Sequence, residues 1–236
     1  MRPAPEGCTE CCFDGACLFV KGSSAERDGL DSLVAVHRAV RRGEPLFRRG
    51  ELLSAIFAVK SGFFKTRISL EDGREQITRF QMPGEVLGLD GIGTGKYSCD
   101  AIALADSPVC GVDYAHFERA SCGSPEIQRQ FQRAMSHEIV REQEMMLLLS
   151  SMRSEEKVAD FLLDLSQRFN SRGLSPLALE LPMTRHEIGS YLGMSLETVS
   201  QCLSKLHADR VVDVCQQSLL IVDEKSLSTL VPSMQR

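Results

Sequence analysis

The chain has 236 residues, 43% apolar and 25% charged, which suits one or two globular domains and excludes a disulfide-stapled mini-protein. Its formal net charge of −5 lends no whole-chain support to nucleic-acid binding, and no apolar run approaches the ~18 residues of a membrane span. The first residues, MRPAPEGCTE, lack the apolar core of a signal peptide, so the expected compartment is the cytoplasm, with no membrane partner.

Residues 1–29 form an arm with little periodicity, and four of the nine cysteines crowd into GCTECCFDGACLF at 7–19. A disulfide staple, a structural zinc and a redox-active metal cluster are all open for them. A reducing compartment favours metal or redox chemistry over staples.

From 30 to 122 short apolar runs alternate with turn signals, as in SGFFKTRISLEDGREQITRFQMPGEVLGLDGIGTG. The EDGRE segment predicts a β-hairpin around Asp72 and Gly73, and strands at this spacing predict a small antiparallel roll or barrel.

The pattern changes over 123–152. After Pro125 the stretch carries no Gly or Pro, and Ser124 is placed to cap a long helix. Steps of four and three give Gln128, Gln132, Met135, Ile139, Glu142, Met146 and Leu149, a coiled-coil-like seam weakened by its polar members. Two readings stay open: a helix packed on its own domain, or a dimer seam in which Glu142 meets its twin and association is poised rather than permanent.

A further helix is predicted over 154–170, capped by Ser154. The most informative stretch follows: MTRHEIGSYLGMSLETVSQCLSKLHADRVV. Thr184 and Glu187 have capping-box spacing, Ile188, Tyr191 and Leu192 give an apolar face, and Gly193 supplies a left-handed turn. Ser195 then caps a second helix with Leu196, Val199, Leu203 and Leu206 on one side. Helix, glycine turn and helix at this spacing match the DNA-binding helix-turn-helix, although any packed helical hairpin shares the pattern. RVVDVCQQSLLIVD adds two β-runs around QQS, the wing of a winged helix. Charge gives no help: from 173 onward there are five basic and seven acidic residues, a balance of −2. Affinity would have to come from a few placed cations, backbone amides and a second subunit.

A β-roll, a long helix and a winged helix in this order resemble the cyclic-AMP receptor/FNR superfamily of bacterial transcription factors. DGREQITRF, GEVLGLDGIGTG, MMLLLSS and MTRHEIGSYLG specifically resemble the fumarate and nitrate reduction (FNR) regulators. The resemblance implies an α+β chain: a cluster-binding arm at 1–29, a cyclic-nucleotide-binding-like β-roll at 30–122, a dimerisation helix at 123–152 and a winged helix-turn-helix at 153–236. It implies a DNA-binding regulator, not an enzyme. In keeping with that, no Ser-His-Asp set, P-loop, GxGxxG or HExxH stands out.

The family also suggests the effector. In its nucleotide-binding branch a Glu and an Arg-Ser or Arg-Thr pair hold ribose and phosphate; here Leu89 replaces the Glu and Cys99-Asp100 stands in place of the pair. No cyclic nucleotide is expected, since a fixed cation is missing and Asp100 repels phosphate. Cys8, Cys11 and Cys17, spaced C-x2-C-x5-C, match the FNR cluster motif, and the fourth family ligand falls on Cys110. The resemblance implies an oxygen-labile [4Fe–4S] cluster; four thiolates also suit zinc, so spacing alone leaves both metals open, and a zinc-stabilised or thiol-redox regulator of the same fold is the alternative. Cys12, Cys99, Cys122, Cys202 and Cys215 are read as bystanders.

In the family frame the seam residues Met135, Ile139, Glu142, Met146 and Leu149 join a homodimer on a palindromic double-stranded promoter site. Glu197 and Ser200 match base-contacting positions, with Thr198 included in the expected interface. Gln201 departs from the family's guanine-reading Arg, and Gln pairs best with adenine. Thr184, Arg185 and Ser195 are expected at phosphates. The loop Asp72, Gly73, Arg74 and Glu75 resembles the surface that contacts RNA polymerase, although Arg74 replaces an acidic residue there.

Overall fold

Alternating apolar positions between 34 and 113 fold into eight antiparallel strands: β1 (Val34–Val40), β2 (Pro45–Phe47), β3 (Ala55–Val59), β4 (Phe64–Ser69), β5 (Glu75–Gln81), β6 (Val86–Leu87), β7 (Asp100–Ala103) and β8 (Ser107–Asp113). The structure is a computed structural model that describes residues 34–232. Cys8, Cys11, Cys12 and Cys17 lie outside the described residues. The strands form two four-stranded sheets, ordered β1-β8-β3-β6 and β2-β7-β4-β5. Inward side chains, among them Phe47, Phe57, Phe64, Leu87 and Val109, fill the space between them. Tyr97 stacks on Phe47 at 3.8 Å and donates its hydroxyl to the Ala55 carbonyl at 2.7 Å, so the one polar atom it buries is satisfied.

Local sequence accounts for the turns. RRGE occurs twice, at 41–44 and 48–51, and forms the same turn twice. In each the Glu N–H donates to the carbonyl of the first Arg, at 2.9 and 3.2 Å, and the glycine takes a φ of 83° or 85°. The predicted hairpin joins β4 to β5 through Glu71, Asp72 and Gly73. Leu70 exchanges hydrogen bonds with Gly73 and Arg74, and Gly73 has a φ of 85°, the pattern of a three-residue loop ending in a left-handed glycine.

α1 (Tyr114–Gly123) was not foreseen in the sequence; Asp113 caps it, accepting from the His116 N–H at 2.8 Å. α2 (Pro125–Ser151) begins as expected, with Ser124 Oγ accepting from the Ile127 N–H and Pro125 at the first helical position. Ile127 and Phe131, one turn apart on α2, join Phe117 of α1 against the sheet face of Ile56, Ala58 and Val112. Arg79 of β5 forms an ion pair with Glu138 of α2. The chain divides into two units between Ile139 and Val140, a boundary that falls inside α2.

In the second unit α3 (Ser154–Asn170) corrects one expectation: Ser154 is its first helical residue, and Arg153 precedes it in extended backbone. No cap hydroxyl is required, because the Glu156 carboxylate reaches back to the Arg153 N–H at 2.8 Å. Then come β9 (Ala178–Glu180), α4 (Arg185–Leu192), α5 (Leu196–Ala208), β10 (Val212–Cys215), β11 (Ser218–Ile221) and α6 (Glu224–Leu230). The two wing strands turn at Gln216 and Gln217, and β9, unforeseen, pairs with β11 to make a third strand.

Candidate nucleic-acid interface and metal-ligand position

The two helices of the predicted helix-turn-helix, α4 and α5, are set by their ends. Thr184 Oγ1 accepts from the Glu187 N–H at 3.2 Å while the Glu187 carboxylate accepts from the Thr184 N–H at 2.6 Å, a complete capping box. At the other end Gly193 takes φ 65° and ψ 40°; its N–H reaches the Ser190 carbonyl, and the Met194 N–H reaches the Gly189 carbonyl at 2.8 Å. These two bonds are the Schellman pattern, which satisfies the last carbonyls of the helix. Ser195 Oγ then accepts from the Thr198 N–H at 3.1 Å and starts α5.

Packing fixes which side of α5 faces out. Val199, Cys202, Leu203 and Leu206 are buried, whereas Leu196, expected on the same face, is exposed at the first turn and Cys202 takes its place in the core. Glu197 and Gln201 are exposed, and Thr198 and Ser200 are half-buried. Thr184, Arg185 and Ser195 are exposed at or next to helix N-termini. The free backbone N–H of its own position, and then the Ser195 hydroxyl, hold the Glu197 carboxyl below the usual range, so it stands as an ionised acceptor. Lys205, a turn beyond Gln201, is held by both oxygens of Glu155 at 2.7 and 2.8 Å, so this cation is directed to α3.

Gly189 lies directly against the backbone of the turn that follows its helix. A Cβ there would lie 2.7 Å from the Met194 carbonyl oxygen. Gly189→Ala should destabilise the C-terminal unit by about 1–3 kcal/mol despite alanine's better helix propensity. Urea unfolding of the variant would measure this, and an unchanged midpoint would show that the turn relaxes freely.

Lys157, missed in the sequence reading, is buried in α3. Its ammonium donates to the Leu149 carbonyl of α2 at 3.1 Å and the Leu192 carbonyl of α4 at 3.4 Å. Both carbonyls lie in the last turns of their helices, where a cation is favoured by the dipole.

Of the seam residues, Ile139 (56% exposed), Met146 (69%), Leu149 (39%) and Glu142 are exposed, while Met135 is half-buried. Leu148 of α2, by contrast, is buried.

Cys110 sits on β8, flanked in register by His37 of β1 and Ala58 of β3. It shares a sheet face with Val112, ~6.7 Å further along the strand, whose side is covered by α1 and α2. The thiol is half-buried, the side chain of Ala58 beside it is small, and Sγ lies 3.7 Å from His37 Nδ1. A partly accessible thiol on a central strand, with an imidazole nitrogen beside it, fits a cluster ligand, and thiolate is the usual protein donor to iron–sulfur clusters. Cys8, Cys11 and Cys17 fall outside the described residues, within which no three His, Cys, Asp or Glu side chains are gathered around a metal position. The signal for His37 is absent from the sequence, since it depends on strand register across a separation of 73 residues.

Of Leu89, Cys99 and Asp100, expected from the resemblance to disfavour a nucleotide, Asp100 is acidic and already partnered. Asp100 accepts from the Arg49 N–H at 2.9 Å and pairs with Arg67 at 3.3 Å, while Arg67 also pairs with Glu75 at 2.7 Å. Asp90 accepts from the Ser98 N–H and hydroxyl at 2.7 and 2.6 Å. Burial, and next the negative charge of Asp90, push the Cys99 thiol well above the usual range, so it is a neutral core residue. In the hairpin loop Arg74 pairs with Asp72 at 2.8 Å and holds the Asp72 carboxyl below its ordinary range.

Known proteins match most of the chain. The family model for a Crp-like helix-turn-helix domain matches residues 156–230, and that for a cyclic nucleotide-binding domain matches 37–121. The chain is 39% identical to the transcriptional activator protein FnrA of Stutzerimonas stutzeri over 94% of its own length and 91% of the relative's. It is 35% identical to the fumarate and nitrate reduction regulatory protein of Vibrio cholerae over 94% and 89%. Among solved structures, FixK2 from Bradyrhizobium japonicum superimposes with a TM-score of 0.79 at 30% identity, over 86% of this chain and 100% of that one. Among the described residues no helix is long and apolar enough to cross a membrane.

Proposed function

We propose that this chain, which belongs to the FNR family of the CRP/FNR superfamily of DNA-binding transcription regulators, couples promoter binding to oxygen through a [4Fe–4S] cluster. The observation that carries the reading is the place of Cys110, whose thiol emerges from the same sheet face on which α1 and the start of α2 pack.

When bound, the cluster supplies oxygen-reactive iron held by four thiolates, those of Cys8, Cys11, Cys17 and Cys110. Cys110 then tethers the arm to β8. Through Val112, Ile56 and the edge-on pair Phe117–Phe131, whose ring centroids lie 5.3 Å apart, that tether bears on the root of α2. Ile139, Met146 and Leu149 on α2 are an apolar stripe suited to a second copy, and Glu142 within it keeps association weak enough to be switched. Loss of the tether removes that support, and a modest coupling suffices, since about 1.4 kcal/mol is a tenfold change in an equilibrium constant.

Two such chains would present two α5 helices to a palindromic site, with Glu197, Ser200 and Gln201 toward base edges and Thr184, Arg185 and Ser195 toward phosphates. Leu89, Cys99 and Asp100 offer no fixed cation to a cyclic phosphate, because the nearby Arg67 is already shared between Asp100 and Glu75. The Asp72–Arg74 loop is the proposed polymerase surface, though their pairing weakens its acidic character.

Anaerobic purification followed by a visible spectrum, metal analysis and DNA binding before and after air tests the reading. A brown protein with four iron and four sulfide, losing colour and promoter affinity together in air, is expected. A colourless protein with one zinc, binding DNA equally in both conditions, would overturn it in favour of a zinc-stabilised regulator.

A further inference from the structure

We propose that His37 is a positioning residue for the cluster, donating its Nδ1–H to the Cys110 sulfur; this rests on Cys110 being the fourth ligand. The two residues face each other in the β1–β8 ladder, and their Nδ1 and Sγ atoms are 3.7 Å apart, a normal span for an N–H···S hydrogen bond. A metal-bound thiolate can only accept, so the shared hydrogen belongs to the ring nitrogen.

The backbone makes the contact durable. Cys110 is on a central strand, paired on one side with Ala58 and on the other with His37, so its Cβ direction is fixed by two ladders. His37, by contrast, is exposed and its strand lies at the sheet edge, so the ring serves no core. A donor beside a ligand sulfur draws density from it and offsets its charge, which raises the reduction potential of the cluster and orients the ligand. His37 therefore sets how firmly Cys110 holds iron, while leaving the ligand count at four.

His37→Leu removes the donor, and His37→Asn places an amide N–H close to where Nδ1 was. With full-length protein prepared anaerobically, all three forms should carry the same iron and sulfide, and their apoproteins should melt alike. The Leu variant should show a lower cluster midpoint potential and lose iron to a chelator, without oxygen, about three- to tenfold faster than the native protein. The Asn variant should restore most of both.

If native protein holds a cluster but the Leu variant matches it in potential and iron loss, the inference fails alone. It fails equally if Asn behaves as Leu does. A native protein that binds no cluster removes the parent reading and this one together. A Cys110→Ser protein that keeps its cluster only while His37 is present would make His37 itself a ligand and overturn the hydrogen-bonding role.

Discussion

Cys110→Ser is expected to yield a folded protein that stays colourless after anaerobic purification and binds its promoter no better without oxygen than in air. The serine hydroxyl fits the space, since the side chain is half-buried beside Ala58 and makes up no part of the buried core. What it lacks is an acidic, soft donor; at neutral pH an alcohol does not present the anion that a thiolate presents to iron. Loss of one of four ligands should abolish the chromophore and lower anaerobic DNA affinity about 5- to 150-fold. Cys215→Ser is the matched control, because that thiol is exposed on the wing strand β10 and should change neither quantity. An oxygen-labile chromophore and oxygen-dependent promoter occupancy surviving in Cys110→Ser would remove the tether on which the mechanism depends.

Gln201→Arg should change which DNA the protein prefers while leaving the proposed oxygen response intact. Gln201 is exposed on α5 one turn beyond Glu197, with Val199, Cys202 and Leu203 anchoring the opposite side. An amide there is suited to the N6 and N7 of adenine, a guanidinium to the O6 and N7 of guanine. Selection from randomised duplexes should therefore move one position of each half-site from adenine to guanine, with discrimination of about 1–3 kcal/mol, roughly 5- to 160-fold, per half-site. If native protein and variant select the same half-site, residue 201 does not read a base.

The parts of the chain that were legible in advance are those whose signals are local. Asp72 and Gly73 mark a three-residue hairpin because only a left-handed residue closes it, and Thr184, Glu187, Gly193 and Ser195 mark helix ends because their side chains or their freedom satisfy terminal backbone groups. Ser154 misled because a hydroxyl before a helical run looks like a cap, while Glu156 reaching back to the Arg153 backbone does the capping. α1 was missed because ten residues with one buried side chain, Phe117, give little periodicity after a strand. Leu196 was misassigned because the first turn of a helix extends beyond the surface it packs on. His37 and Lys157 were invisible for a different reason: each acts across a fold, one by strand register and one by reaching two helix ends from a third.

Lys157 has a bearing on how far apart the bases being read can be. Its ammonium fastens the terminal turn of the long helix to the first helix of the reading pair, and the fastening lies wholly within one unit. Two chains joined through Met146 and Leu149 would then behave as callipers with locked jaws. Inserting or deleting base pairs at the centre of the palindrome should be tolerated poorly, because no swivel remains between grip and gauge.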